Sequence, residues 1–281
     1  MLQTSRQAAL YSATQQFQHL DTPRLDAELL LIHVLNISRA QLYAWPEKRL
    51  NDEQWQQLQN LVKKRIKHQP IAYLTGHKEF WSLDLRVNAA TLIPRPETEL
   101  LVEQALKYIH EIEQPIILDL GTGSGAIGLA LAQEYPHARI TAVDVNAQAL
   151  EIAQYNAQSL ELNNIQFQLS HWFQDLPPQQ VHLIVSNPPY IANDDPHLSL
   201  GDVQFEPLQA LVSGKDGLDD IREIAAQAKH FLLAEAYLLF EHGYDQAETV
   251  QQILMEQDYK NVKTIKDLAG QERVSLGQWK G

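Results

Sequence analysis

Cysteine is absent from this chain of 281 residues. Its absence excludes disulfide bonds, thiolate zinc sites and cysteine nucleophiles. The 11 histidines show no HxxxH or similar spacing, so the sequence predicts no metal site. Internal repeats and low-complexity tracts are also missing. What remains is ordinary globular composition, with 44% apolar and 20% charged residues, and a length that suggests about two domains.

Long hydrophobic runs are missing as well. The longest apolar stretch, Leu29–Leu35, contains His33 and is too short to span a bilayer. Met1–Phe17 carries Arg6 but no apolar core of the kind that secretory signals have. We therefore expect a soluble, cytoplasmic protein without a membrane partner.

Charge is divided unevenly along the chain. Residues 1–90 have a net charge of +3, from 11 basic and 8 acidic residues, whereas residues 91–281 have a net charge of −16, from 11 and 27. A strongly negative surface repels the phosphates of a long duplex and suits a basic macromolecular partner better. The acidic surface is equally consistent with a simple gain in solubility.

The pattern of residues 4–70 is helical. Leu25, Leu29, Ile32 and Leu35 recur on one helix face that follows Asp21 or Thr22 as cap and Pro23. A second helix is expected to begin at Asp52 as its cap. Alternating apolar residues across 80–87 then indicate a strand or hairpin. The sequence thus predicts a helical domain over 1–75, a hairpin linker over 76–95 and a larger domain over 96–281.

The larger domain alternates strand and helix patterns. Such alternation is typical of a doubly wound, mostly parallel sheet with helices on both faces. The last two strands have no helix between them, which indicates an antiparallel hairpin at the edge. The seven predicted strands are Ile116–Leu120, Ile140–Val145, Ile165–Leu169, Val181–Ser186, Ala236–Glu241, Val262–Lys266 and Arg273–Leu276. The predicted helices between them are Ala126–Gln133, Ala147–Ser159, Asp219–Leu233 and Gln246–Gln257.

A glycine-rich segment follows the first of these strands, with the sequence DLGTGSGA at 119–126. Glycines there permit a tight turn and a close approach to a ligand, and Asp144 ends the next strand, where ribose hydroxyls are usually held. The spacing also matches a dinucleotide site. Asp119 at the mouth of the loop would repel a pyrophosphate and attract a sulfonium, which favours S-adenosylmethionine, although Asp119 is also an ordinary turn residue.

A stiff elbow follows the fourth strand. Asn187-Pro188-Pro189-Tyr190 comes directly after Val181–Ser186, and the two prolines cannot continue a sheet ladder because they have no N–H to donate. Such an elbow presents the Asn187 amide and two main-chain carbonyls at a fixed spacing. It is suited to binding a planar NH2 group. A strand-ending turn is the alternative.

The chain as a whole resembles the release-factor glutamine methyltransferases (the HemK/PrmC family). The resemblance is carried by RLDAELL at 24–30, YLTG at 73–76, LIPRPETE at 92–99, GTGSG at 121–125, NPPY at 187–190, FEPL at 205–208 and ERV at 272–274. It implies a class I adenosylmethionine-dependent methyltransferase fold with a small all-helical N-terminal domain. It also implies transfer of a methyl group to the N5 amide of the glutamine in the Gly-Gly-Gln motif of class 1 peptide chain release factors.

The resemblance also implies residue roles. The cofactor-binding residues would be Gly121, Thr122, Gly123, Ser124, Gly125, Asp144, Trp172 and Asn187. The substrate-binding residues would be Asn187, Pro188, Pro189 and Tyr190, of which Asn187, Pro188 and Tyr190 would be catalytic. The chain departs from the family pattern in two places. His171 stands where an acidic residue usually precedes Trp172, and Glu235-Ala236 replaces a pair of glycines.

Three other functions share parts of this pattern. A sister enzyme that methylates a glutamine of a ribosomal protein would use the same catalytic residues. An N6-adenine methyltransferase shares NPPY, but the acidic second part of the chain and the lack of a basic groove with aromatics disfavour nucleic acid as the substrate. A non-enzymatic adenosylmethionine-binding scaffold would not need the Asn187 elbow. Residues 80–95 and 191–216 are the predicted contacts to a protein substrate, with disorder the alternative for the second.

Overall fold

The computed structural model describes residues 4–281, which divide into two units. The helical unit comprises residues 4–77 and 199–205, and the sheet unit comprises residues 78–198 and 206–281. The first three residues of the predicted helical domain, and of the Met1–Phe17 stretch, lie outside the described part. Within residues 4–281, no helix combines the length and the apolar composition needed to cross a membrane.

The helical unit packs its helices around one apolar cluster that includes Phe17, Leu30, Leu31 and Leu58. Its helices are α1 (Arg6–Gln16), α2 (Pro23–Leu35), α3 (Arg39–Ala44), α4 (Asp52–Arg65) and α5 (Ile71–Thr75). The predicted cap of α4 is wrong by one residue. Asn51, not Asp52, precedes the helix, and its side chain accepts the Gln54 N–H while Gln54 accepts the Asn51 N–H.

Helix α2 forms where the sequence predicts it, but it buries a different face. Leu25 and Leu29, on the predicted apolar stripe, are exposed, whereas Leu30, Leu31 and Val34 are buried. The reason is that α2 carries apolar residues around most of its circumference, so periodicity cannot select a face. The buried face also includes Asp26, whose carboxylate is paired with Arg65 of α4 at 2.7 Å.

The sheet unit begins with a short hairpin and continues as alternating strands and helices. The hairpin strands are β1 (His77–Phe80) and β2 (Leu83–Arg86). The main strands are β3 (Ile116–Leu120), β4 (Arg139–Asp144), β5 (Ile165–Leu169), β6 (Val181–Ser186), β7 (Leu232–Glu241), β8 (Lys260–Lys266) and β9 (Glu272–Gln278). The helices are α6 (Glu99–Ile109), α7 (Ala126–Glu134), α8 (Ala147–Ser159), α9 (Asp219–Ala228) and α10 (Ala247–Glu256).

Seven strands form one sheet in the order β5-β4-β3-β6-β7-β9-β8. All pairs from β5 to β7 are parallel, and β9 is antiparallel to both of its neighbours. The predicted fold class, a mostly parallel seven-stranded sheet with a terminal antiparallel hairpin, is confirmed. The predicted helix Asp219–Leu233 is too long, because its last apolar residues belong to β7.

The departure from the family's glycine pair has a structural counterpart in β7. Glu235 adopts a left-handed backbone conformation with φ +67°, which a glycine adopts without strain. Its carboxylate accepts hydrogen bonds from Gln278 and Lys280. Position 235 therefore has a backbone conformation that suits glycine, although this chain has a glutamate there.

The carboxyl ends of β3 and β6 lie side by side at the centre of the sheet. Leu120 pairs with Ser186 at the last rung of this ladder, and the Ser186 hydroxyl donates to the Leu120 carbonyl at 2.8 Å. The strand order reverses at this point. The strands β4 and β5 lie on one side of β3, whereas β6 and β7 lie on its other side. Ligands of open α/β sheets bind at such a reversal.

Candidate active site

The glycine loop after β3 depends on three left-handed glycines. Gly121, Gly123 and Gly125 have φ of +73°, +57° and +88°, which residues with a Cβ rarely adopt. A Cβ on Gly121 would lie 3.2 Å from the Trp172 ring, whereas a Cβ on Gly123 would meet no atom within 4 Å. Gly121 therefore packs against the indole, and Gly123 borders open space in the cavity described below.

Asp119 does not lie at the mouth of the loop, contrary to the sequence prediction. Its side chain is fully buried and its Oδ2 accepts the Thr122 hydroxyl at 2.6 Å and the Gly128 N–H at 3.0 Å. Burial raises the pKa of Asp119 to about 6, although these hydrogen bonds lower it. Its Oδ1 has no partner among the described residues. Asp119 thus holds the glycine loop from its buried side, and its carboxylate lies inside the protein next to the loop.

Asp144 ends β4 and faces the glycine loop. Its Oδ2 accepts the Gly123 N–H at 2.9 Å, and its Oδ1 accepts the Asn146 N–H at 2.8 Å. Burial raises the pKa of this carboxyl above its usual value. Each oxygen retains lone-pair capacity beyond its one backbone donor, so the group can still accept a hydroxyl from a ligand.

Trp172 forms a flat wall of the same site. Its backbone is left-handed, with φ +48°, and its Nε1–H donates to Asp220 Oδ1 of α9 at 3.2 Å. The preceding His171 lies beside Asp220 and Glu223, with potential ligand atoms of all three within 4.8 Å of one another. The sequence spacing of the histidines gives no sign of this grouping, because two of its members come from α9.

The elbow after β6 is held from both sides. The Asn187 Nδ2 donates to the Thr98 hydroxyl at 3.3 Å. Beyond the prolines, the Tyr190 hydroxyl points to Glu241 at 3.5 Å, and the Tyr190 carbonyl accepts the Gln246 amide at 2.9 Å. These contacts hold the elbow at the carboxyl end of β6.

The glycine loop and the elbow open onto one cavity of about 260 Å³. Six predicted site residues line it: Gly121, Gly123, Asp144, Trp172, Asn187 and Pro189. The other five lie outside its lining. Thr122 and Ser124 are buried in the loop, and Gly125 precedes α7. Within the elbow, Pro188 is buried and Tyr190 turns toward Glu241.

Several residues that shape the site were not predicted. The Asn156 amide of α8 donates to the Ser124 carbonyl at 2.9 Å and to the Arg86 carbonyl at 3.0 Å, and so ties the glycine loop to β2. Buried Glu206 accepts the Ile93 N–H at 3.0 Å and pairs with Arg95. A helical asparagine such as Asn156 has no sequence pattern that marks it as a site residue. A lone carboxylate at the end of an apolar strand, such as Glu241, does mark a candidate site residue.

The lining favours a cationic nucleoside over a dinucleotide. Among the described residues, no lysine or arginine lines the cavity, whereas Asp144 and Asp220 do. The buried Asp119 carboxylate adds a third acidic group below the loop. Phosphates would be repelled by this set and a sulfonium attracted. The flat indole of Trp172 and the hydroxyl-accepting Asp144 fit an adenosine moiety.

We expect Gly121→Ala to weaken S-adenosylmethionine binding by about tenfold, or ~1.4 kcal/mol. The new Cβ would press on the Trp172 ring at 3.2 Å and displace this wall of the cavity. Gly270→Ala is the matched control, because Gly270 has a similar φ of +83° but open space around it. Both variants should lose similar stability in thermal unfolding, and calorimetric titration should show weaker binding only for Gly121→Ala. Equal affinities would contradict the contact.

The chain is similar to known proteins over nearly its whole length. Residues 8–76 match the family described as "PrmC N-terminal domain", and residues 96–207 match "Methyltransferase small domain". A methyltransferase from Pyrococcus furiosus has the same fold, with a TM-score of 0.53, 18% sequence identity, and coverage of 79% of this chain and 98% of that one.

Curated relatives define the family. A release factor glutamine methyltransferase of Vibrio cholerae is 50% identical over 98% of this chain and 96% of its own. The protein of the same name from Escherichia coli is 51% identical over 96% and 97%. Identity at this level over nearly the whole of both sequences shows common descent and a shared fold, so the chain belongs to the release factor glutamine methyltransferase family.

Proposed function

We propose that this protein transfers the methyl group of S-adenosylmethionine to the N5 side-chain amide of the glutamine in the Gly-Gly-Gln motif of class 1 peptide chain release factors. Membership of the release factor glutamine methyltransferase family supports this reaction. The observation that carries it is the joining of the glycine loop and the Asn187 elbow in one cavity. One end of the cavity suits a cationic nucleoside, and the other suits an amide.

The proposed donor supplies an electrophilic methyl group on a sulfonium. Asp144 accepts its ribose hydroxyls, and the Trp172 ring packs near its adenine. Gly121 and Gly123 leave room for the backbone to approach it closely, with Thr122, Ser124 and Gly125 shaping the loop. The acidic groups around the loop favour the cation over the neutral product, since loss of the methyl group removes the sulfonium charge.

The nucleophile is a primary amide, which is weak because its lone pair is delocalised into the carbonyl. The Asn187 Oδ1 and the Pro188 carbonyl each accept one N–H of the substrate, while Pro189 and Tyr190 restrict the plane of the amide. These acceptors raise electron density at nitrogen and orient it for in-line attack. Productive attack requires reacting atoms about 3–3.5 Å apart, and most of the rate comes from this positioning and from fixed dipoles.

Proton loss requires no strong base. The nitrogen becomes strongly acidic once the new C–N bond has formed, because it then carries four substituents and a positive charge. The proton leaves to water. The residues of the elbow therefore act before and during methyl transfer, by binding and orienting the amide.

We assign substrate choice to the helical domain and to two segments that border the cavity, since Thr91 and Leu92 of one and Pro207 and Ala210 of the other line it. Residues 1–75 are proposed as the helical recognition domain, residues 76–95 as the hairpin linker and residues 96–281 as the methyltransferase domain. The loop over 191–216 contains three short 3-10 helices, Pro196–Ser199, Val203–Phe205 and Leu208–Ala210. With the segment 80–95, it is the proposed contact region for a protein substrate.

Three acceptors incubated separately with the enzyme and S-adenosylmethionine test this function. We expect a class 1 release factor to gain one methyl group on the Gly-Gly-Gln glutamine, located by mass spectrometry of its peptides. A release factor with that glutamine changed to asparagine is the matched control and should stay unmodified. Methyl transfer to a ribosomal-protein glutamine alone, or to an adenine oligonucleotide alone, would overturn the proposal.

A further inference from the structure

We propose that Glu241, which ends β7, is a positioning residue that fixes which end of the Asn187 amide faces the substrate. The inference rests on the proposed function. Glu241 does not line the cavity, so it acts on the substrate only through Asn187. When the Glu241 carboxylate is ionised, it favours an orientation in which the Asn187 NH2 group faces Thr98 and Glu241. The Asn187 Oδ1 then points toward the cavity.

The sheet register places the two side chains together. Ser186 of β6 pairs with Phe240 of β7, so Asn187 and Glu241 are the next residues along two adjacent parallel strands. Side chains alternate between the faces of a sheet, and these two therefore project to the same face. Thr98, which precedes α6, lies against both side chains. Its hydroxyl accepts the Asn187 Nδ2–H at 3.3 Å. Hydrogen bonding by the Thr98 and Asn187 side chains lowers the pKa of Glu241.

The hydrogen bonds among Asn187, Thr98 and Glu241 all donate toward the Glu241 carboxylate. An ionised carboxylate only accepts, so the Thr98 hydroxyl directs its own proton toward Glu241 and keeps its lone pairs for the Asn187 Nδ2–H. The Tyr190 hydroxyl points to the same carboxylate at 3.5 Å. Glu241 thus faces both polar side chains of the elbow. A donor chain that ends on a charge also polarises the Asn187 amide and makes its Oδ1 a stronger acceptor.

Glu241 is held in an environment that makes its charge costly. The side chain is 1% exposed, and its Oε2 has no hydrogen-bond partner at normal geometry among the described residues. Burial raises the pKa of Glu241 to about 7; Glu97 also raises it, and Thr98, Arg273 and Asn187 lower it. Because the orienting form is ionised, turnover is expected to rise as pH increases through about 7.

Glu241→Gln removes the charge and keeps the shape. The glutamine NH2 can face Thr98 and Asn187, which permits the Asn187 amide to turn its NH2 toward the substrate. We expect kcat at pH 8 to fall about 10- to 100-fold, the effect of a misplaced reacting group, while S-adenosylmethionine affinity is unchanged. The rise of kcat through pH 7 should disappear. Glu241→Asp retains the charge and should retain a rise with pH.

Glu99→Gln is the matched control. The Glu99 Oε1 accepts the Trp81 N–H at 2.8 Å, a role that a glutamine oxygen also fills, so kcat and its pH profile should match those of the wild type. Wild-type kcat that does not change between pH 6 and 8, or Glu241→Gln with wild-type kcat, would overturn the proposal. A wild-type enzyme that modifies no glutamine would instead refute the proposed function. If Glu241→Gln does not fold, the wild-type and Glu241→Asp pH profiles decide.

Discussion

Asn187→Ala is expected to lower kcat for glutamine methylation by about 1,000-fold, while S-adenosylmethionine affinity changes less than about threefold. Removal of one preorganised polar group from a site of this kind costs about 10²–10³ in kcat, and here the same group also orients the nucleophile. The cofactor retains Asp144, Trp172 and the glycine loop, which line the cavity independently of the amide. Single-turnover kinetics and calorimetric titration measure the two quantities separately.

Two further variants define what Asn187 contributes. Asn187→Asp keeps oxygens in place but puts a second negative charge next to Glu241, so it should be nearly as inactive as Asn187→Ala. Asn164→Ala is the control, because the Asn164 amide donates to the Ala132 and Tyr135 carbonyls at 3.0 and 3.1 Å, away from the cavity. It should lose stability but keep kcat. If Asn187→Ala loses cofactor binding and turnover together, Asn187 serves the donor rather than the acceptor.

The chemistry-bearing segments were predictable because each is local in sequence. Gly121, Gly123 and Gly125 mark a turn that only glycine adopts easily, and two prolines mark the end of β6. The alternation of strands and helices then predicts that these two segments meet, since β3 and β6 are adjacent where the strand order reverses. The meeting of the two segments in one cavity follows from topology and needs no side-chain detail.

The surroundings of these segments were not predictable for the opposite reason. The sequence predicts the Asp119 carboxylate at the mouth of the loop. In the structure the side chain points into the protein, where its carboxylate accepts the Gly128 N–H. Asn156 ties the glycine loop to β2 from α8, at a large sequence distance from both. The buried face of α2 includes Asp26 and its ion pair with Arg65, which hydrophobic periodicity does not report. Polar contacts between distant elements require the folded structure.

Arg65→Met is expected to lower the free energy of unfolding of the helical unit by about 3–5 kcal/mol, the cost of breaking a buried ion pair from one side. The Arg65 side chain is 7% exposed, and its guanidinium binds Asp26 at 2.7 Å and Asp202 at 2.6 Å. It also donates to the Gln69 carbonyl at 3.1 Å. Urea denaturation followed by circular dichroism at 222 nm measures the change in the free energy of unfolding.

Arg222→Met is the matched control for charge and partner number. Arg222 also pairs with two aspartates, Asp216 and Asp219, but its side chain is 43% exposed. Solvent screening leaves such surface pairs with about 0–1 kcal/mol. The two variants remove the same group from the same kind of pairing, so the difference between their losses measures burial. Equal losses would contradict the assignment of Arg65 to a desolvated cluster.

The double variant Arg65→Met with Asp26→Leu identifies the origin of the loss. If the cost arises from leaving the Asp26 carboxylate buried without its cation, removing that carboxylate as well should restore about 2 kcal/mol or more, because an apolar pair replaces an uncompensated charge. Asp26 is 3% exposed, and without Arg65 its carboxylate keeps the Thr22 hydroxyl, which donates at 2.7 Å. A double variant no more stable than Arg65→Met would place the cost in lost packing of the arginine side chain instead.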